Sequence, residues 1–120
     1  MSTLEQVHRQ AIREDIAVVC ESLQEVIGQR LAAYGAAIKD PKQIGRYAKG
    51  ARTPSGNTAA RLKEVYEVVQ LLLGSETPQT VRAWLIGSNP QLNDEAPIEV
   101  LHRNEPGRAL RAAEAFVVGG

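Results

Sequence analysis

An all-α fold is predicted by three features of the chain. Apolar residues recur at steps of three and four over long stretches. Proline or a capping residue opens most of these stretches, and glycine closes several. No stretch alternates long enough to read as a strand. At 120 residues the chain reads as one domain with a modest core. The expected architecture is a compact helical bundle. An amphipathic helix over 1–27 leads into a helix-turn-helix unit over 28–56, and a second helical unit occupies 57–120.

Leu4, Val7, Ala11, Ile16, Val19, Leu23 and Val26/Ile27 form one apolar stripe, with a break expected near Asp15. An alanine-rich helix over Leu31 to Ile38 comes next. Asp40 then caps a second short helix, with Pro41 at its first position, where a missing N–H is harmless. Ile44 and Tyr47 face inward, which turns Lys42, Gln43, Arg46 and Lys49 outward. Thr53 to Asn57 reads as a loop, with Asn57 capping a helix from Thr58 to Leu73 that stops at Gly74. That helix is apolar on more than one side, so it is expected at the centre. Thr77-Pro78 opens a helix carrying Val81, Trp84 and Leu85 and ending at Gly87. Leu92 drops back into the core, Asn93-Asp94-Glu95 is exposed, and Pro97 opens a helix with Ile98, Val100 and Leu101. Pro106-Gly107 breaks the chain again. The last helix, Arg108 to Val118, turns Leu110, Ala113, Phe116 and Val117 inward and ends in flexible glycines.

The formal net charge is zero, but its distribution is uneven. Residues 28–63 carry eight basic groups against Asp40 alone, while the segments on either side are acidic. A basic excess on the segment with helix-turn-helix form points to a nucleic-acid face. Arg46 and Lys42 suit guanine O6/N7, and Gln43 suits adenine N6/N7. Lys39, Lys49 and Arg52 sit at the ends of the unit, where phosphate contacts are expected.

Other classes are excluded on chemistry. There is no Ser/His/Asp or Cys/His grouping and no glycine-rich cofactor loop, so neither catalysis nor a cofactor is expected. Gly50 and Gly56 lack the Lys-Ser/Thr ending of a phosphate loop. His8 and His102 have no partner at metal-ligand spacing. The lone Cys20 rules out an internal disulfide and fits a reducing compartment. No apolar run approaches the ~20 residues that span a bilayer, and the N-terminus does not read as a signal peptide. A cytoplasmic protein with no membrane contact is expected.

Two stretches carry a family resemblance. Gly28-Gln29-Arg30-Leu31 through Ile44-Gly45-Arg46-Tyr47-Ala48-Lys49-Gly50 is similar to the helix-turn-helix of Xre-type regulators. Ala83-Trp84-Leu85-Ile86-Gly87-Ser88-Asn89-Pro90-Gln91-Leu92, and then Pro97-Ile98-Glu99-Val100-Leu101, resembles the toxin-binding signature of Xre/MbcA/ParS-type antitoxins. The corner from Ala37 to Ile44 is one residue longer than the family's, and Tyr47 stands where tryptophan is common. The resemblance covers roughly residues 28–118. It implies a bacterial type II antitoxin that neutralises a RES-domain, NAD+-degrading toxin and regulates transcription by binding the promoter DNA of its own operon. It also implies toxin contacts at Trp84, Asn89 and Leu92 and along the end of the chain, Phe116, Val117, Val118, Gly119 and Gly120. Trp84 also reads as a core anchor, and the loop from Gly87 to Leu92 as a rigid turn. The apolar faces of the first and central helices lead us to expect a homodimer and a palindromic operator. Two other readings fit the same residues: a stand-alone Xre-like regulator, and a protein-interaction module that has lost DNA binding.

Overall fold

The computed structural model describes residues 3–7 and 15–119, and every regular element among them is helical. Residues 3–7 are helical, with Leu4 and Val7 packed against the core. Asp15 is extended (φ −67°, ψ 142°), so the chain departs from helix there, as the sequence predicts. His8 and the apolar positions Ala11 and Ile12 fall outside the described residues. The remaining helices are α1 (Ile16–Val26), α2 (Gly28–Gly35), α3 (Lys42–Ala48), α4 (Gly56–Leu73), α5 (Pro78–Ile86), α6 (Pro97–His102) and α7 (Pro106–Gly119). A 3-10 turn, Pro90–Leu92, separates α5 from α6.

α4 is the axis of the fold. From Val65 to Leu72 nearly every residue is buried, which a helix achieves only when neighbours cover it on several sides. α1 and α7 lie against it, and α3 rests on α1. Ala109, Ala112 and Ala113 are the buried residues of α7, and such small side chains let its backbone come close to α4. Gly35 serves the same end for α2: a Cβ there would stand 3.1 Å from Ile98 Cδ1 and Val65 Cγ2. The Cα radius of gyration is 13.1 Å, close to the ~13.6 Å of one compact body of this length, so both units share one core.

Three helices stop by the same device. After α2, the Ile38 N–H reaches back to Ala33 O (2.8 Å) and the Ala37 N–H to Tyr34 O (3.1 Å). After α3, Ala51 donates to Arg46 O and Gly50 to Tyr47 O; after α6, Glu105 donates to Val100 O and Asn104 to Leu101 O. These are Schellman stops, which need one residue at positive φ. Gly50 (φ 73°) and Asn104 (φ 66°) suit that role, whereas Ala37 (φ 58°) does not. The helix expected to reach Ile38 therefore ends at Gly35.

Other boundaries also move. Ser55, not Asn57, caps α4: its Oγ accepts the Thr58 N–H at 3.2 Å. Pro106 begins α7 rather than breaking the chain, and α7 continues through Gly119 instead of ending in free glycines. Thr77 caps α5 through the Thr80 N–H, and Pro97 opens α6, both as predicted. Asp40 accepts the Lys42 N–H at 3.0 Å, so it caps α3 although Pro41 already has helical dihedrals.

Polar pins cross between the units. Arg61 Nη2 on α4 donates to Gly35 O (3.3 Å), Leu101 O (2.8 Å) and His102 O (2.9 Å). Arg82 Nη1 on α5 donates to Val26 O at 2.7 Å, at the end of α1. Tyr34 and His102 stack with centroids 4.1 Å apart, and the Tyr34 hydroxyl donates to Glu99. The hydrogen bond to Glu99 raises the Tyr34 pKa above its ordinary value. Ala37→Gly is expected to stabilise the fold by ~1 kcal/mol, since the substitution removes an alanine from a left-handed position. A melting midpoint raised by a few degrees in circular dichroism checks this.

Candidate functional site

The first candidate surface is α3 with its flanks. Ile44 and Tyr47 are buried, as their spacing predicts, and Lys42, Arg46 and Lys49 form an exposed stripe on the opposite side. Lys39 and Arg52 are exposed at the two ends. Two details qualify the stripe. Gln43 is half-buried, with Oε1 shut away from solvent and without a hydrogen-bond partner, so its amide is not simply turned outward. Arg46 Nη1 lies 3.3 Å from Asp40 Oδ2, so part of the cationic surface is paired within the chain. The Lys42 N–H, and then Arg46, hold the Asp40 carboxyl below its ordinary value. Gly45 faces α2: a Cβ there would sit 2.8 Å from Gln29 Nε2, which donates to Gln24 Oε1.

The second surface is a groove of about 660 Å³ between α5, the 3-10 turn and the end of α7. Its lining brings together Trp84, Asn89, Phe116, Val118 and Gly119, five of the residues the family resemblance assigns to partner contact. Trp84 is half-buried at the rim of the core rather than anchored inside it, and its ring meets that of Phe116 at 6.3 Å and 53°. Val118 is 80% exposed at the open end of the groove. Asn89 is buried and builds the wall instead of offering itself to a partner. Its side-chain oxygen accepts the Gln91 N–H at 2.9 Å, and its carbonyl accepts the Leu92 and Asp94 N–H groups.

Two of the expected contacts lie elsewhere. Leu92 is a core residue, 2% exposed, and Val117 packs on the core side of α7. Gly120 lies outside the described residues. The sequence reading missed Ala112 and Ala115, which line the groove one helical turn apart on α7. Ala115 is exposed and Ala112 buried, and two small side chains at that spacing, just before Phe116, are the signal that the helix leaves room there.

Below the groove, ion pairs hold the loop before α6. Arg103 forks onto both oxygens of Glu95 and also reaches Glu105, while Arg108 lies 2.6 Å from Glu105. Arg103 holds Glu95 below the ordinary carboxylate value, and Arg108 does the same for Glu105. These pairs tie the loop before α6 to the start of α7, beside the groove and outside its lining.

Comparison with known proteins returns no matching family model, no matching curated protein and no matching solved structure.

Among the described residues, no three His, Cys, Asp or Glu side chains gather as metal ligands do, and no helix is long and apolar enough to cross a membrane. Cys20 is fully buried, and burial pushes its thiol up to about 11 from 9.0. The folded chain therefore keeps a proton that the unfolded chain loses. Stability from this group is full below pH 9.0 and is lost as pH rises through 11, by roughly 2–3 kcal/mol. Urea unfolding on both sides of that window is expected to show the decline, and Cys20→Ala to reduce it, leaving the contribution of Tyr34.

Proposed function

We propose that this chain is an antitoxin of a bacterial type II system. It binds a RES-domain, NAD+-degrading toxin through the Trp84–Phe116 groove, and the promoter DNA of its own operon through the Lys42–Arg46–Lys49 stripe. The observation that carries this reading is the groove. An open trough with a largely apolar lining suits a protein-docking site, and it gathers residues from two stretches more than twenty apart in sequence. The resemblance of those stretches to the toxin-binding signature supports the choice of partner. A homodimer fits the same reading, with the two-fold axis matching a palindromic operator.

One observation favours the second reading, an interaction module without DNA binding: the Gln43 amide oxygen is turned inward. A gel shift with the chain's own upstream region separates the two. Binding at low salt is expected, weakening with a slope of about −0.9 per phosphate contact. Lys39→Ala and Arg52→Ala are each expected to reduce that slope by about 0.9. No shift at low salt leaves only the interaction module.

The toxin half is tested by co-expression with the product of the neighbouring gene. A stable complex with a RES-domain enzyme, and cellular NAD+ kept at its normal level, is the expected result. Ala115→Arg places a long charged side chain on an exposed position in the groove without touching the core. It is expected to abolish capture, at least ~10-fold in affinity, with an unchanged melting midpoint. Neutralisation unaltered by Ala115→Arg removes the groove from the interface.

A further inference from the structure

We propose that Asp40 is a positioning residue for Arg46, holding its guanidinium toward the α2–α3 corner so that its fork meets a guanine in one fixed register. This rests on the DNA-binding half of the proposed function and adds to it a residue that determines specificity.

The two oxygens of Asp40 have different partners. Oδ1 accepts the Lys42 N–H at 3.0 Å, which ties the carboxylate to the backbone. Oδ2 lies 3.3 Å from Arg46 Nη1. In an ordinary surface ion pair both long side chains wander. Here the acid end is short and anchored, so the arginine folds back to a fixed point, over roughly 9 Å of helix axis. Contact through Nη1 leaves further N–H groups of the guanidinium free for the paired acceptors of a guanine edge.

Arg46 also bears most of the discrimination that α3 has to offer. Lys42 and Lys49 flank it on the exposed stripe, but an ammonium is a point donor without a preferred plane. The amide of Gln43 is half-buried, with its oxygen enclosed. That leaves the Arg46 guanidinium as the exposed planar fork on the helix. It stands between two like charges that would otherwise push it away from any one orientation. An anchored carboxylate beside it supplies the opposing pull.

Asp40→Asn isolates the effect. An asparagine oxygen still accepts the Lys42 N–H and still caps the helix, but the ion pair is gone. Gel shifts of the full chain on its own upstream duplex and on a scrambled duplex then give a discrimination ratio. For Asp40→Asn that ratio is expected to fall about 10-fold, with scrambled-duplex affinity equal to or above that of the unmodified chain. Arg46→Ala is expected to lose as much discrimination, and the double variant no more than Arg46→Ala alone, because the two residues act as one unit. Melting curves within a few degrees of the unmodified chain confirm that both variants fold. Equal gains on both duplexes with an unchanged ratio would show that Asp40 is merely a repelling charge, and would overturn the proposal. Additive losses in the double variant would do the same. No shift by the unmodified chain overturns the DNA-binding reading itself, and this inference with it.

Discussion

One guanidinium sits where three carbonyls converge. Arg61, half-buried on the central helix, donates from Nη2 to Gly35 at the end of α2 and to Leu101 and His102 at the end of α6. Helix C-termini carry partial negative charge, and two of them brought together repel unless a cation lies between. The Schellman stops on both helices satisfy some of the last carbonyls, and Arg61 takes up Gly35 O and His102 O and shares Leu101 O with the Asn104 N–H. The convergence of α2, α4 and α6 therefore depends on this side chain. Arg82 repeats the arrangement on a smaller scale, donating from α5 to Val26 O at the end of α1. Arg61 joins the end of α2 in the N-terminal half to α4 and α6 of the C-terminal half, and Arg82 joins α5 to the end of α1, so the two units are fastened by polar contacts as well as by the apolar core.

This changes the meaning of the charge count. Eight basic groups over 28–63 look like a single cationic face, yet Arg61 is directed inward at helix ends and Arg46 is partly neutralised by Asp40. The external stripe is narrower than its sequence suggests. A count along the chain has no means of separating an arginine that closes a helix from one that meets solvent, because both sit at polar positions of an amphipathic pattern. Only the acceptors, which come from elsewhere in the chain, tell them apart.

The same limit explains which parts of the fold are legible in the residues and which are not. Helix starts marked by proline after a capping or turn residue, at Thr77-Pro78 and Pro97, fall where local chemistry puts them. The buried faces of α3 and α4 follow from spacing alone. Failures occur where tertiary packing overrides local preference. Nothing at Ala37 announces a left-handed residue, and nothing at Gly35 announces the close approach of Val65 and Ile98 at the end of α2. The two glycines at the chain end suggest fraying, but α7 holds its helix through Gly119, which lines the groove with Trp84. The groove itself is the least legible feature. Trp84 and Phe116 each look like ordinary core residues in their own helices, and their contact across α5 and α7 exists only in the folded chain.

The order of packing bears on how the two proposed functions would share so small a chain. The groove is built on α5, the 3-10 turn and α7; α7 lies on α4, α4 on α1, and α1 carries α3 with its basic stripe. α1, which Arg82 also ties to α5, thus lies between the groove and α3, and neither surface borrows a side chain from the other. Rigidity rather than motion is the property this arrangement supplies. The Arg61 and Arg82 pins and the Glu95–Arg103–Glu105–Arg108 ion pairs all oppose relative displacement of the helices. A partner binding such a body adds its own bulk and charge to the complex without remodelling the opposite side. Any coupling between the two surfaces then comes from what is brought together in the complex, rather than from a change of shape carried through the core.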